Sequence, residues 1–167
     1  MNEQIILLID LQRIDSELDR ISHRKRELPE KKSVLDEGLR QACEKFESER
    51  KRLDEAAKNH KQKEDNLKRG IENLKRTKDR LLEVKTNKEY QAMLKEIESI
   101  EKKNSECEDE IIFALDEIDR SKRELKEKEK ELAEFRQTYE KEADQIDKEL
   151  STIDQDYEAL KEKKEKA

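Results

Sequence analysis

The sequence predicts an all-α protein, a long antiparallel coiled-coil helical hairpin whose first arm is kinked at Pro29. Three observations carry this. Half of the 167 side chains are charged and 31% hydrophobic, too few apolar groups for a thick globular core. Helix breakers are almost missing, with 2 Gly and 1 Pro, while Glu, Lys, Leu, Arg and Ala dominate. A disordered polyampholyte would have no reason to exclude Gly and Pro, so long helices are expected. Finally, the apolar residues keep the spacing of a coiled-coil seam.

Along the first arm, Leu7, Leu11, Ile14, Leu18, Ile21 and Leu28 alternate by fours and threes, with Lys25 in the gap. The stripe continues through Leu35, Leu39, Ala42, Phe46, Leu53, Ala56 and His60 to Leu67, Leu74 and Leu81. The second arm runs Tyr90, Leu94, Ile97, Ile111, Leu115, Ile118, Leu125 and Leu132. It then passes Tyr139, Ala143, Ile146, Leu150, Ile153, Tyr157 and Leu160. In a chain that turns once, facing residue numbers share a constant total. Leu81 with Tyr90, Leu74 with Ile97, Leu53 with Ile118, Ile21 with Leu150 and Leu11 with Leu160 all total 171. A phase change of one residue is expected at His60 and at Ile111, which total 171 as well. Past it, Ile71 would face Ile100 and Glu64 would face Cys107. A parallel homodimer has no need of this mirror symmetry.

The expected bounds are a single hairpin over 1–167, with arm one at 3–85, the turn at 86–87 and arm two at 88–165. Pro29 lacks an amide donor and crowds the preceding turn, so it either folds the chain back or kinks it. The heptad phase passes unbroken from Leu28 through Lys32 to Leu35, which favours the kinked, continuous arm. The turn is capped locally: Thr86-Asn87-Lys88-Glu89 fits a capping box, with Thr86 as cap and Glu89 reaching back.

Polar residues in the seam are read as register devices. Glu49 is expected to face Lys122, and Lys63 to face Glu108. Charge is divided between the arms: Lys and Arg less Asp and Glu give +3 for residues 1–90 and −9 for 91–167, making the net −6. The basic stretch from Arg50 to Lys88 therefore reads mainly as a flank facing Glu96, Glu98, Glu101 and Glu106, with phosphate contact as the alternative.

The sequence offers no catalytic constellation. No Gly-rich phosphate loop and no Ser/His/Asp set occurs, and two helices enclose no pocket, so an enzyme is not expected. Cys43 and Cys107 stand far apart and outside any CxxC, and His60 lacks companion ligands, so no metal or other cofactor is expected in this chain. Ile5–Ile9 is too short for a membrane span or a signal sequence, and Asp10 follows it. A reducing cytoplasm and a monomer or weak dimer are expected.

The segment Val84-Lys85-Thr86-Asn87-Lys88-Glu89-Tyr90-Gln91-Ala92, followed by Leu94, Lys95, Glu96 and Ile97, resembles the tip of bacterial coiled-coil hairpin proteins that carry a C-terminal four-cysteine zinc ribbon. Leu11-Gln12-Arg13-Ile14-Asp15 and the Leu28-Pro29 step are similar to that family too. The resemblance implies a non-enzymatic scaffold or adaptor in bacterial regulation. Its partners would be protein components of transcription, such as the nitrogen-type alternative sigma factor, or of flagellar or type III export, and nucleic-acid contact is associated with it. Lys85, Thr86, Asn87, Lys88, Glu89 and Tyr90 would form the partner-binding tip. Zinc is implied only for a ribbon that would follow residue 167. A nucleic-acid-binding rod and a self-associating structural coiled coil are the alternative readings.

Overall fold

The computed structural model describes residues 2–166. They form two α-helices, α1 (Asn2–Leu81) and α2 (Asn87–Lys166), joined by a short reversal. Cross-arm contacts between them run antiparallel, so the molecule is an all-α coiled-coil hairpin, as its periodicity predicts. α1 passes through Pro29 without a break in helix. Its first arm thus ends at Leu81 rather than at residue 85, because Leu82–Thr86 are needed to reverse the chain and cap α2.

Contacts group the chain into two units, Met1–Glu44 with Lys130–Ala167, and Lys45–Glu129. In the first unit, Leu28, Ile146 and Ile153 form a buried cluster, against which Ile21, Leu35 and Leu150 pack. Leu28 is among the most buried side chains of the protein, at 1% exposure. Ion pairs flank this core. Arg24 Nε donates to Glu149 at 2.8 Å, Lys32 Nζ to Asp147 at 2.9 Å, and Lys25 lies 2.7 Å from Asp154 and 4.7 Å above the Tyr157 ring. These cross-arm pairs are partly exposed, so they steer alignment more than they stabilise.

The second unit buries Ile97, Ala114, Thr77 and Ser121. Thr77 is tolerated at 1% exposure because its hydroxyl donates to the Asn73 carbonyl at 2.9 Å within its own helix. Its presence exposes an error in the expected phase. α1 does not shift at His60: the protected positions continue Lys63, Leu67, Gly70, Leu74, Thr77 and Leu81 in unbroken fours and threes, while Glu64 is exposed and Ile71 is 53% exposed. On α2, the protected positions are Met93, Ile97, Ile100, Asn104, Cys107, Ile111, Ala114, Ile118 and Ser121. Tyr90, Leu94 and Leu115, assigned to the seam by their apolar spacing, face solvent.

The pairing total moves accordingly. A Cβ added to Gly70 would lie 2.1 Å from the Asn104 side chain, a pair totalling 174. In the first unit, a Cβ on Gly38 would lie 2.7 Å from the Phe135 ring, a pair totalling 173. The register is therefore displaced by two to three residues from 171. Small residues at 70, 77, 114 and 121 allow the helices to approach, and the larger neighbours that a hydropathy pattern favours are turned to the rim.

The irregularity of α2 lies in the first unit instead of at Ile111. Protected positions step from Phe135 to Tyr139 and then by four again to Ala143, an eleven-residue repeat from Leu132. Within this stretch Tyr139 donates to Asp36 across the arms.

Candidate functional site at the hairpin turn

α1 ends in tightened i→i+3 bonds: the amides of Leu82, Glu83 and Val84 donate to the carbonyls of Asp79, Arg80 and Leu81 at 3.2, 3.1 and 3.5 Å. No residue other than glycine takes a positive φ among those described, so the helix stops without a left-handed cap. Reversal is completed by Thr86. Its Oγ1 accepts from the Glu89 amide at 3.2 Å, and its carbonyl accepts from the Tyr90 amide at 3.0 Å. Among the described residues only this half of the box forms; no bond from Glu89 back to the Thr86 amide accompanies it. Thr86 thus has a structural duty at the turn whatever else the segment does.

The six tip residues come together as one exposed surface. Lys85, Thr86, Asn87, Lys88, Glu89 and Tyr90 are all solvent-facing. Sequence reasoning missed the apolar part of this surface. Leu82 is 85% exposed, and Tyr90 and Leu94 also face water. Beside them a groove of about 380 Å³ is lined by Val84, Ala92 and Met93, with Arg80, Glu83 and Glu96 at its edges. The signal for Leu82 was available: the seam stops at Leu81, and a leucine at the next position cannot share its face. Chemically, an apolar floor ringed by mixed charge, with Lys85 and Lys88 nearby, suits recognition of another protein more than catalysis.

The register residues are placed differently from expectation. Lys63 Nζ pairs with Glu110 at 2.9 Å instead of Glu108, and this hydrogen bond raises the lysine's pKa. Lys122 and Glu108 are exposed. Glu49 does not meet Lys122, and its buried Oε2 has no hydrogen-bond partner. The displacement of register by two to three residues explains both mismatches. Pro29 lies on the exposed side of α1, next to buried Leu28. His60 Nε2 sits 3.4 Å from the Glu64 carboxylate, within ion-pair range but outside hydrogen-bond geometry. Each thiol has its own contact: Cys107 Sγ to the Lys63 carbonyl at 3.3 Å, and Cys43 Sγ to the Arg136 guanidinium at 3.9 Å. Among the described residues, no three His, Cys, Asp or Glu side chains are grouped to hold a metal ion. None of their helices is long and apolar enough to cross a membrane.

Two antiparallel helices with a continuous seam and a capped reversal define the class: a coiled-coil hairpin protein, a fold not typical of enzymes. The chain belongs to the CT398-like coiled coil hairpin domain family, whose model matches residues 11–167. No curated protein and no solved structure matches the chain.

Proposed function

We propose that this protein is a non-enzymatic scaffold or adaptor of the bacterial cytoplasm that presents the turn of its hairpin to a protein partner. The observation that carries this reading is the tip itself, where Leu82, Tyr90 and Leu94 expose apolar surface near Lys85 and Lys88. The hairpin family membership supports a structural or scaffold role. The resemblance of the tip segment extends the reading to transcription regulation: an alternative sigma factor, or a flagellar or type III export component, is the partner class, and a four-cysteine zinc ribbon would be a separate module. The chain's own cysteines do not suit zinc, since each stands without a second ligand.

Binding of a purified alternative sigma factor or export component is the test. Lys88→Ala with Asn87→Ala, and separately Leu82→Ser, should each weaken capture at least tenfold while helicity by circular dichroism is retained. Unchanged capture by both variants would remove the tip as the contact. Part of the basic arm is already matched internally, as in Lys78 with Glu101 at 3.5 Å and Arg76 with Glu72 at 4.0 Å. Nucleic-acid binding is therefore the second outcome to measure. It would appear as an affinity for single- or double-stranded RNA or DNA that falls steeply with added salt.

A further inference from the structure

In α2, the stretch between Lys103 and Arg120 holds seven carboxylates and no lysine or arginine. Within it Ile112 and Phe113 are 61% and 66% exposed, whereas the other phenylalanines, Phe46 and Phe135, are half-buried. Helix phase explains the difference. Cys107, Ile111, Ala114 and Ile118 are the protected positions that turn toward α1. At about 100° per residue, the mean direction of Asp109, Ile112, Phe113 and Asp116 lies about 180° from theirs. These four stand at i, i+3, i+4 and i+7, so they share one stripe about 100° wide. The stripe looks directly away from the seam, with two apolar side chains at its centre and a carboxylate at each end. Glu110, at its edge, reaches Lys63 of α1 at 2.9 Å. Among the described residues neither Asp109 nor Asp116 makes an ion pair, and both are exposed. Each instead has a like charge three residues away, Glu106 for Asp109 and Asp119 for Asp116, an arrangement that repels on a helix surface.

We infer that this stripe is a docking surface for a basic amphipathic helix of a partner protein. The partner brings apolar side chains to Ile112 and Phe113, and a lysine or arginine to each of Asp109 and Asp116. Charge complementarity decides the occupant. Seven carboxylates repel phosphate, so neither nucleic acid nor an anionic membrane surface fits here. An apolar partner without cations would desolvate Asp109 and Asp116 and give them nothing in return. A cation at each end offsets that cost and relieves the repulsion from Glu106 and Asp119. Spacing narrows the partner further. Asp109 and Asp116 are two helical turns apart, about 10 Å. A helix with cations at i and i+7 and apolar residues at i+3 and i+4 has the same spacing, and that pattern reads identically in either direction of packing. Ile112 lies 25 residues beyond the start of α2 at Asn87, about 37 Å along the helix. The surface is therefore separate from the hairpin turn and goes beyond the role proposed for the tip.

The probe is a fluorescein-labelled alanine–glutamine peptide helix with lysine at i and i+7 and leucine at i+3 and i+4. Its anisotropy is followed at low salt as the whole chain is added, and saturable binding is expected. Ile112→Gln with Phe113→Gln should weaken that binding about tenfold. Asp109→Asn with Asp116→Asn should weaken it about fivefold. Circular dichroism should be unchanged in both, because all four side chains face solvent. Glu127→Gln with Glu134→Gln is the control: it removes the same charge at the same spacing from another exposed part of α2, and affinity should stay within about twofold. Absence of binding to the wild-type chain would overturn the proposal. Equal losses in the aspartate and control variants would overturn it too, by reducing the attraction to net charge alone. So would a wild-type chain that self-associates in light scattering and becomes monomeric with Ile112→Gln and Phe113→Gln, which would give this face to a second copy. Leu82→Ser at the turn should bind the peptide as wild type does, so the two surfaces stand or fail separately.

Discussion

At the scale of single residues, the molecule is decided by small side chains more than by large ones. Thr86 is the clearest case, because one hydroxyl satisfies an otherwise orphaned amide at the start of α2. Thr86→Ala should cost about 1 kcal/mol, lowering the melting temperature by roughly 2–4 °C, and Thr86→Asp should restore most of it. The two glycines predict opposite outcomes for the same substitution. Alanine in a helix gains about 1 kcal/mol over glycine. At Gly70 the obstacle is the far end of the Asn104 side chain, which can rotate away for about 0.5–1.5 kcal/mol, so Gly70→Ala should fall close to neutral. At Gly38 the obstacle is the rigid Phe135 ring, and overpacking of about 1–3 kcal/mol exceeds the propensity gain. Gly38→Ala should therefore destabilise, and thermal melts of the two variants side by side check the ordering.

At the scale of the helices, the phase of α2 is the quantity most open to test. Ala114 is 2% exposed, whereas its larger neighbour Leu115 faces water. Ala114→Leu should destabilise by about 1–3 kcal/mol, while Leu115→Ala should stay within about 0.5 kcal/mol of wild type in urea titrations. The phase read from hydropathy alone gives the reverse ordering. Leu28→Ala, which empties the cluster with Ile146 and Ile153, should cost about 2–5 kcal/mol. Electrostatics adds a pH signature. The Arg24 hydrogen bond holds the Glu149 carboxyl below its usual range. A depressed carboxylate contributes stability above its unfolded value of about 4.3, and that contribution is lost as pH falls through the folded value. The gap in melting temperature between wild type and Arg24→Gln should accordingly close as pH drops below about 4.

At the scale of the whole molecule, the divided charge and the single reversal belong together: a basic first half and an acidic second half favour antiparallel pairing within one chain. Register can be read by crosslinking on a Cys43→Ser, Cys107→Ser background. Gly70→Cys with Asn104→Cys should form a disulfide within one chain, because these positions are in contact. Gly70→Cys with Glu101→Cys, the pair totalling 171, should not. Crosslinks only between chains in the first variant would contradict the hairpin itself.

The amino-acid sequence by itself determined that this protein is helical, that it turns once, and that the turn falls between Leu81 and Tyr90 with Thr86 as its cap; the end of the first helix at Leu81, four residues before the expected 85, came from the structure. These features follow from local periodicity, helix propensity and capping chemistry, all of which act within a few residues. Tertiary structure decided which face of α2 is buried, which residues pair across the arms, and that Leu82 and Ile5–Ile9 are left in water. Hydropathy points to Leu94 and Leu115, but helices pack at the distance their smallest facing residues permit, and Gly70, Thr77, Ala114 and Ser121 carry little apolar signal. The cap stands at Thr86 where the sequence placed it, while the reversal starts earlier, at Leu82, and leaves that leucine in water.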